Sequence, residues 1–501
     1  MSKKIKKILV ANRGEIAVRV IRTCKELNIE SVAVYSEPDK TSPHVLLADE
    51  SVHIGEAASS QSYLDHDKII NAAKTTGADA IHPGYGFLSE NAAFASRCKE
   101  EDVIFIGPSP DSISLMGDKT AARELMSKAN VPFPPGTKKA FDDIDKARDV
   151  ADEIGYPVLI KAAAGGGGKG MRIVHKREEF ESSVRGAKSE ARNAFGDDRV
   201  YIEKYLEEPR HVEFQIMADT HGNVIHLFDR ECSIQRRHQK VIEEAPCAIL
   251  TPELRSEMAE AAIAAAKACN YIGAGTIEFL VDKDLKFYFL EMNTRLQVEH
   301  PVTELITGKD LVELQILVAE GHELPVKQSD IEKNGHAVEC RIYAEDPSDN
   351  FLPSTGLLLK HRVPSGPGIR VDAGVEEGQS VTINYDPMIS KLCVHAPTRE
   401  LAINKMLRAL EEYEIAGCRT TIPFCEFTLK HPAFREAKYD THFVLNHFDK
   451  EEMNRADMDD VIPALSACLL RVSESGREKS KTSVSSDGEI YTNWWKNRRI
   501  R

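Results

Sequence analysis

The chain has 501 residues, of which 42% are hydrophobic and 29% are charged. At about 150 residues per domain this length predicts three domains, and the composition excludes a fibre, a disulfide-stabilised miniprotein and a mainly disordered chain. The net charge is −14, from 65 Lys and Arg against 79 Asp and Glu. We therefore expect no general affinity for nucleic acid, and a local site for any anionic ligand.

The sequence has no pattern typical of secretion or membrane insertion. The apolar stretch at 8–11 is too short for a signal peptide, and no window approaches the ~20 apolar residues of a membrane helix. The ten Cys include no Cys-x-x-Cys pair, which argues against a zinc ribbon and a dithiol redox site. We expect a cytoplasmic protein with reduced thiols and no membrane contact.

The first hundred residues alternate strands with an amphipathic helix. Residues 8–11 and 31–35 are predicted as strands, and the helix between them carries apolar residues such as Ile16, Val20 and Leu27. This βαβ pattern predicts a parallel sheet. Further strands are predicted at 78–81 and 103–106, with a domain boundary near Ser109.

The second region contains a dense glycine run. A predicted helix at 142–154 and a strand at 157–162 precede four glycines at 165–168, which are followed by Lys169. The run lacks the Ser or Thr that must follow the Lys in a P-loop. Its backbone N–H groups can still wrap phosphate oxygens beside Lys161, so we prefer a phosphate-binding loop to a flexible linker.

A predicted hairpin, with strands at 276–281 and 287–293, brings carboxylates together. Symmetric pairing about the 284/285 midpoint sets Val281 opposite Tyr288, Phe279 opposite Leu290, and Glu278 opposite Glu291. Two opposed carboxylates repel unless a cation lies between them, and hard oxygen ligands favour Mg²⁺ or Mn²⁺. Asn293 shares the face of Glu291 and completes the ligand set.

The same face continues beyond the hairpin if the chain stays extended. At a period of two it carries Arg295, Gln297 and Glu299, an order that suits chemistry on an anion beside a metal-bound nucleotide. The alternative is a solvated polar strand face. The basic segment 235–240 is likewise either solvated surface or part of an anion pocket, and the glycine loop favours the pocket.

The last third of the chain has a different pattern of predicted secondary structure. After about residue 335 the chain predicts short strands with Gly and Pro turns, then a helix at 398–412. The tail from residue 450 is charged and rich in Ser, which leaves docking of a partner and disorder as alternatives.

Five strings together resemble those of biotin carboxylases, members of the ATP-grasp superfamily, over about residues 5–447. They are ILVANRGEIA at 8–17, HPGYGFLSE at 82–90, the glycine loop, RRHQK at 236–240 and EMNTRLQVEH at 291–300. The resemblance implies an α/β and α+β protein. Its parts are a Rossmann-like N-terminal domain (1–117), an ATP-grasp domain (118–334) with a glycine-rich lid at about 133–205, a C-terminal biotin carboxylase domain (335–447) and a charged tail (448–501).

The resemblance also implies site residues. ATP-binding positions are Lys119, Lys161, Gly167, Gly168, Glu203, Lys204, Tyr205, Leu206, His211, His238, Glu278 and Glu291. Glu278, Glu291 and Asn293 match the metal ligands, and Lys240, Arg295, Gln297 and Val298 match the bicarbonate pocket. Glu299 matches the base that deprotonates bicarbonate, and Arg341 matches the residue facing biotin; Lys240, Arg295, Glu299 and Arg341 form the catalytic set.

The implied reaction carboxylates biotin. ATP phosphorylates bicarbonate to carboxyphosphate, which yields the carbon dioxide that is transferred to biotin N1, with two Mg²⁺ or Mn²⁺ ions. The sequence contains no Ala-Met-Lys-Met motif, so biotin is expected on a separate carrier protein. The resemblance further implies a carboxyltransferase partner and a homodimer, and leaves the final acceptor open among acetyl-CoA, propionyl-CoA and pyruvate.

Two other functions stay open at this point. One is a different ATP-grasp ligase, such as one that makes carbamoyl phosphate or activates another carboxylate. The other is a non-catalytic nucleotide-binding or scaffolding subunit.

Overall fold

The N-terminal region contains a five-stranded parallel sheet. The computed structural model describes residues 4–137, 140–141, 143–163, 170–237 and 239–451. Its first elements are β1 Lys7–Val10, α1 Gly14–Glu26, β2 Glu30–Ser36, α2 Pro43–Leu47, β3 Glu50–Gly55, α3 His66–Thr76, β4 Ala80–His82, α4 Ala92–Glu100, β5 Ile104–Phe105 and α5 Pro110–Gly117. The strand order is β3-β2-β1-β4-β5 with parallel pairing throughout, which confirms the predicted βαβ pattern.

The middle region contains a small sheet and most of a large one. Its elements are α6 Lys119–Lys128, α7 Ile144–Ile154, β6 Val158–Ala162, β7 Met171–Val174, α8 Phe180–Phe195, β8 Val200–Lys204, β9 Arg210–Ala218, β10 Val224–Arg236, β11 Gln239–Ala245, α9 Pro252–Ala268, β12 Gly273–Val281, β13 Phe287–Asn293, α10 His300–Thr307 and α11 Leu311–Ala319. Strands β7, β6 and β8 form the small sheet, and α7 and α8 pack on it around a core that includes Val158, Phe180 and Val200. This subdomain falls inside the segment predicted as the lid.

The last region completes the large sheet. Its elements are β14 His336–Tyr343, β15 Glu345–Asp346, β16 Leu352–Pro353, β17 Gly356–Leu357, β18 Lys360–Arg362, β19 Ile369–Ala373, β20 Ser380–Val381, β21 Met388–Ala396, α12 Arg399–Glu412, β22 Glu414–Ala416, α13 Ile422–Lys430, α14 Pro432–Arg435 and α15 Phe443–His447. The Thr398 side chain accepts a hydrogen bond from the Leu401 N–H and so caps α12, the helix predicted at 398–412.

One antiparallel sheet of eight strands carries the candidate site. Its order is β13-β12-β9-β10-β11-β14-β21-β19. Strand β11 pairs with β14 through Ile242 and Cys340, so the sheet continues across the predicted boundary at 334/335. The middle and last regions therefore share a hydrogen-bonded sheet, and side chains from β9 to β14 can meet on one face.

The β12–β13 hairpin confirms one predicted pair and shows two to be wrong. Glu278 faces Glu291 as predicted, but Val281 faces Phe287 instead of Tyr288, and Phe279 faces Phe289 instead of Leu290. The turn closes with Asp282 N–H donating to the Lys286 carbonyl at 2.9 Å, and Leu285 adopts a φ of 60°. A register shift between Glu278 and Phe279 leaves Leu290 as a bulge residue, which brings the two glutamates opposite each other.

Within the described part of the chain, none of the helices combines the length and the apolar content that crossing a bilayer requires.

Candidate active site

Three carboxylates converge on one ammonium group. The Lys240 Nζ donates to Glu213 Oε2 at 2.6 Å, Glu278 Oε1 at 2.9 Å and Glu299 Oε1 at 2.6 Å. Glu213, Glu278 and Glu299 are at most 4% exposed. Burial lowers the pKa of Lys240, but the three carboxylates outweigh it and raise that pKa well above its usual value. Lys240 is therefore a fixed positive charge at the centre of the site.

Glu299 is held as a carboxylate from two sides. Its Oε1 accepts from Lys240, and its Oε2 accepts from the Arg341 guanidinium at 2.9 Å. Burial alone would raise the pKa of Glu299, but the charges of Lys240, Arg341 and Arg230 outweigh it and hold the pKa well below its usual range. An ionised, buried carboxylate of this kind can accept a proton from a bound substrate.

The route by which Glu299 reaches the site differs from the predicted one. The prediction that the chain stays extended from Asn293 to Glu299 is wrong, because strand β13 ends at Asn293 and the chain bends at Arg295. Glu299 is the N-cap residue of α10, and Pro301, the second residue of that helix, is of the type favoured in the first helical turn. Gln297 still reaches the site, where its Nε2 donates to Glu278 Oε1 at 2.8 Å.

The hairpin carboxylates and Asn293 are brought together as predicted. The Asn293 Nδ2 donates to Glu278 Oε1 at 2.9 Å, and Asn293 Oδ1 accepts from Arg295 at 3.0 Å. The other Glu278 oxygen lies 2.9 Å from the His211 Nε2. The Glu291 residue is partly exposed to solvent. Desolvation by the surrounding protein and the negative charge of Glu278 raise the pKa of its carboxyl group.

The Glu278, Glu291 and Asn293 set offers the hard oxygen donors that Mg²⁺ prefers, and the exposed edge of Glu291 leaves room for a cation. The described residues also place ligand atoms of His211, Glu213 and Glu278, and of Glu213, Cys232 and Glu299, within 4.8 Å of one another. In both groups the Lys240 ammonium already supplies the positive charge between the carboxylates. The metal set predicted from the hairpin is therefore the better fit for a divalent ion.

Arg230 is a residue that the sequence analysis missed. It is fully buried and holds Glu213 through its Nε at 2.6 Å, the Gln215 side chain at 2.8 Å and the Gln297 Oε1 at 2.5 Å. These hydrogen bonds fix the positions of Glu213 and Gln297. Glu213, a partner of Lys240, was also missed by the sequence analysis. The available signal was the position of Arg230 between Asp229 and Glu231 in β10, since a buried Arg needs paired anions.

Arg295 and Val298 lie at the edge of this cluster. The Arg295 Nε donates to Glu90 Oε2 at 2.9 Å, while Thr294 N–H donates to Glu90 Oε1 at 3.0 Å. The Val298 carbonyl accepts from the buried Lys391 Nζ at 2.9 Å. Glu90 comes from the string at 82–90, so the N-terminal domain anchors the loop that leads to Glu299.

A second cluster lies on the small sheet. Glu203 contacts Lys161 and accepts from Arg123 at 3.2 Å. Burial is the main cause that raises the pKa of Tyr201, and the charges of Glu203 and Glu291 raise it further. Because Glu291 belongs to the hairpin, the small sheet and the hairpin are close enough to interact electrostatically. Lys119, which is exposed at the start of α6, partly offsets the raised pKa of Glu291.

The remaining nucleotide positions follow β8. The Lys204 Nζ donates to the Gly155 carbonyl at 2.9 Å, and the Tyr205 hydroxyl lies 3.4 Å from His442 Nε2. Leu206 is half-buried beside them. Gly167, Gly168 and His238 lie outside the described residues, as does the predicted tail beyond residue 451.

A cavity of about 440 Å³ opens on the Arg341 side of the cluster. Residues lining it include Arg13, Tyr85, Val298, Arg341, Tyr343 and Asp386. Among these, Arg13, Tyr85, Tyr343 and Asp386 were not predicted as site residues, although Arg13 and Tyr85 lie in the strings at 8–17 and 82–90. The cavity has room for a small organic ligand that contacts Arg341.

Comparison with known families finds three matches in chain order. The model for the biotin carboxylase N-terminal domain matches residues 4–113, and that for the carbamoyl-phosphate synthase L chain ATP-binding domain matches residues 118–327. The model for the biotin carboxylase C-terminal domain matches residues 339–446.

Individual relatives match over most of both chains. Biotin carboxylase 1 of Bacillus subtilis is 54% identical over 441 residues, which is 88% of this chain and 98% of the relative. A pyruvate carboxylase subunit of Methanothermobacter thermautotrophicus is 56% identical over 438 residues, or 87% and 89%. Among solved structures, the biotin carboxylase domain dimer of Hydrogenobacter thermophilus 2-oxoglutarate carboxylase, in complex with MgADP, ADP and bicarbonate, is similar with a TM-score of 0.83. It is 49% identical, and the match covers 89% of this chain and 98% of that one.

Proposed function

The chain belongs to the biotin carboxylase family, and from that premise we propose which of its residues perform the ATP-dependent carboxylation of biotin. The reaction is that of a ligase that forms a C–N bond, which sets aside a purely scaffolding role. A carbamoyl phosphate synthase is also set aside, because the flanking domains match biotin carboxylases. The observation that carries the residue assignment is Lys240, which bridges the hairpin carboxylate Glu278 to Glu299.

Bicarbonate is proposed to bind beside Lys240, Arg295, Gln297 and Val298. Glu299 then takes the bicarbonate proton, since its low pKa leaves it ionised at neutral pH. The deprotonated oxygen attacks the γ-phosphorus of ATP, the bond to the β-phosphate oxygen breaks, and ADP and carboxyphosphate form. The cluster supplies positioning and charge, which is most of what phosphoryl transfer requires of a protein.

The nucleotide is proposed to lie between the hairpin and the small sheet. Lys119 and Lys161 supply positive charge to the phosphates, and His211 with residues 203–206 lines the nucleoside part. Glu278, Glu291 and Asn293 would hold Mg²⁺, which when bound neutralises charge on the phosphates. Mn²⁺ and a second ion stay predictions.

Biotin is proposed to enter the cavity beside Arg341. Carboxyphosphate yields carbon dioxide and phosphate, the released phosphate takes the proton from biotin N1, and the nitrogen forms the new bond to the carbon of carbon dioxide. Arg341 and Arg295 can stabilise the negative charge that then develops on the ureido oxygen. Arg341 is well placed for this because it lies in the cavity wall and contacts Glu299.

The relative from Methanothermobacter thermautotrophicus is one of the subunits of pyruvate carboxylase, and the similar solved structure is a dimer of a carboxylase domain. On this basis we propose a separate biotin carrier protein, a carboxyltransferase and a second copy of this chain as partners. The final acceptor stays open, and the cytoplasmic location stays a prediction.

The function is tested by ATP hydrolysis with bicarbonate and biotin varied independently. We expect ADP release to require bicarbonate and to be stimulated by free biotin, with carboxybiotin formed in step with the extra ADP. ADP release that does not depend on bicarbonate would contradict the assignment. Dependence on bicarbonate without any effect of biotin would favour another ATP-grasp ligase.

The metal set is tested by Glu291→Gln. Because the change removes one anionic ligand, we expect the Mg²⁺ concentration for half-maximal ATP hydrolysis to rise by about tenfold or more. The measurement is a Mg²⁺ titration at fixed ATP, with the exposed Glu260→Gln as control. An unchanged midpoint in Glu291→Gln would remove Glu291 from the metal site.

A further inference from the structure

Two further glutamates face each other in the centre of the large sheet. Glu243 in β11 and Glu339 in β14 are register partners, and both are 0% exposed. Directly opposed residues of an antiparallel pair have Cβ atoms about 4.5–5.5 Å apart. Two ionised carboxylates at that separation, away from water, would repel strongly. Neither residue has a role in the reaction as proposed above.

The hydrogen bonds of this pair leave one oxygen free on each side. Glu243 Oε1 accepts from the Arg341 Nε at 2.6 Å, and Glu339 Oε2 accepts from the Cys393 Sγ at 3.3 Å. Glu243 Oε2 and Glu339 Oε1 are buried, and no donor in the described part of the chain reaches either of them. Buried oxygens without a donor are costly, and one proton between two such oxygens would satisfy both.

The surrounding charges make the pair unequal. The ionisable groups that face it are Lys240 on β11, Arg341 on β14, Lys391 and Cys393 on β21, and Glu299 before α10. Lys240 is bound to three other carboxylates, and Lys391 is paired with Glu15. Glu243 has the Arg341 ion pair, whereas Glu339 has no ion pair among the described residues. Glu243 is therefore the anion and Glu339 the acid.

We propose that Glu243 and Glu339 share one proton, carried by Glu339 and donated to Glu243, and that this acid pair positions Arg341 against Glu299. The inference rests on the proposed function, because it is there that Arg341 is assigned to biotin. With the proton in place, Arg341 has one negative charge on each side, Glu243 at 2.6 Å and Glu299 at 2.9 Å. Loss of the proton adds a second charge on the Glu243 side and draws Arg341 away from the cavity.

The titration of the pair supports this arrangement. Burial and the neighbouring Glu243 raise the pKa of Glu339 well above its usual value, and burial also raises the pKa of Glu243, against the charge of Arg341. The pair holds its proton at low pH and loses it as the pH rises through the higher of its two pKa values. Positioning of Arg341 is therefore expected to fail on the alkaline side.

Two matched substitutions separate the roles. Glu339→Gln replaces the acid with an amide that can donate the same hydrogen bond permanently, so we expect biotin carboxylation to be retained and its alkaline decline to be lost. Glu243→Gln removes the anion that holds Arg341, so we expect the KM for biotin to rise by about tenfold or more at every pH, with the KM for ATP unchanged. Both variants should keep bicarbonate-dependent ATP hydrolysis.

A spectroscopic measurement tests the shared proton without reference to activity. The infrared difference between the parent chain and Glu339→Gln at neutral pH should contain the C=O band of a protonated carboxyl group. Four results would each overturn the inference. They are a missing C=O band, equal losses of biotin carboxylation in the two variants, an unaltered pH profile of carboxylation in Glu339→Gln, and failure of that near-isosteric variant to fold. Failure of the proposed function is distinct, since it would appear as bicarbonate-independent ADP release in the parent chain.

Discussion

Replacing Glu299 with glutamine is expected to lower the rate of biotin carboxylation by about 10²–10⁴-fold, the usual contribution of a positioned base. The amide has nearly the same shape but cannot take the bicarbonate proton. In the parent chain Lys240 and Arg341 each donate a hydrogen bond to one oxygen of Glu299. In the variant these two cations therefore face a neutral amide in place of a carboxylate. Steady-state kinetics with bicarbonate, ATP and biotin varied in turn give kcat and each KM.

The effect should be confined to chemistry. Among the described residues, the side-chain hydrogen bonds and ion pairs of Glu299 go to Lys240 and Arg341 and not to Glu278, Glu291 or Asn293, the proposed metal ligands. The KM for ATP and the Mg²⁺ titration are therefore expected to stay within a small factor of the parent values. Glu323→Gln, an exposed change of the same kind, serves as the matched control. If Glu299→Gln turns over at the parent rate, another group takes the proton and the role of Glu299 is lost.

The sequence predicted the local parts of this site better than their connection. The Glu278–Glu291 pair could be predicted because hairpin pairing depends on residues close in the chain. The pairs nearer the turn were wrong, since the αL conformation of Leu285 and the bulge at Leu290 are set by the turn and by packing, not by hydrophobic alternation. The turn shifts the pairing by one residue from the predicted register, and the bulge shifts it back, so the predicted pair at Glu278 is still correct.

The long-range part of the site could not be predicted from residue patterns. Arg230, Glu213 and Arg341 come from three strands of the large sheet, and their convergence depends on the order β9-β10-β11-β14. An alternating row of charges results, in which Arg230 and Lys240 share Glu213, and Lys240 and Arg341 share Glu299. Strand order over such distances is a property of the whole fold. The resemblance could supply Arg341 only as a matched position, without its contacts.

Removing the Lys240 charge by Lys240→Met is expected to lower kcat for carboxylation by about 10²–10³-fold and to move the acid limb of the pH profile upward. Burial raises the pKa of Glu299, and Lys240 is the largest charge that opposes it. Without that charge the pKa of Glu299 rises, so the carboxylate needed as base is lost at a higher pH than in the parent chain. The measurement is kcat against pH under saturating substrates.

Lys240→Arg separates charge from geometry, because a guanidinium keeps the positive charge but cannot occupy the position of an ammonium that contacts three carboxylates at 2.6–2.9 Å. We expect this variant to retain the parent acid limb and to lose much of kcat. Lys286→Met, an exposed change on the hairpin, should match the parent in both respects. An acid limb that stays in place in Lys240→Met would mean that Arg341 and Arg230 suffice to keep Glu299 ionised, and that Lys240 acts on the substrate alone.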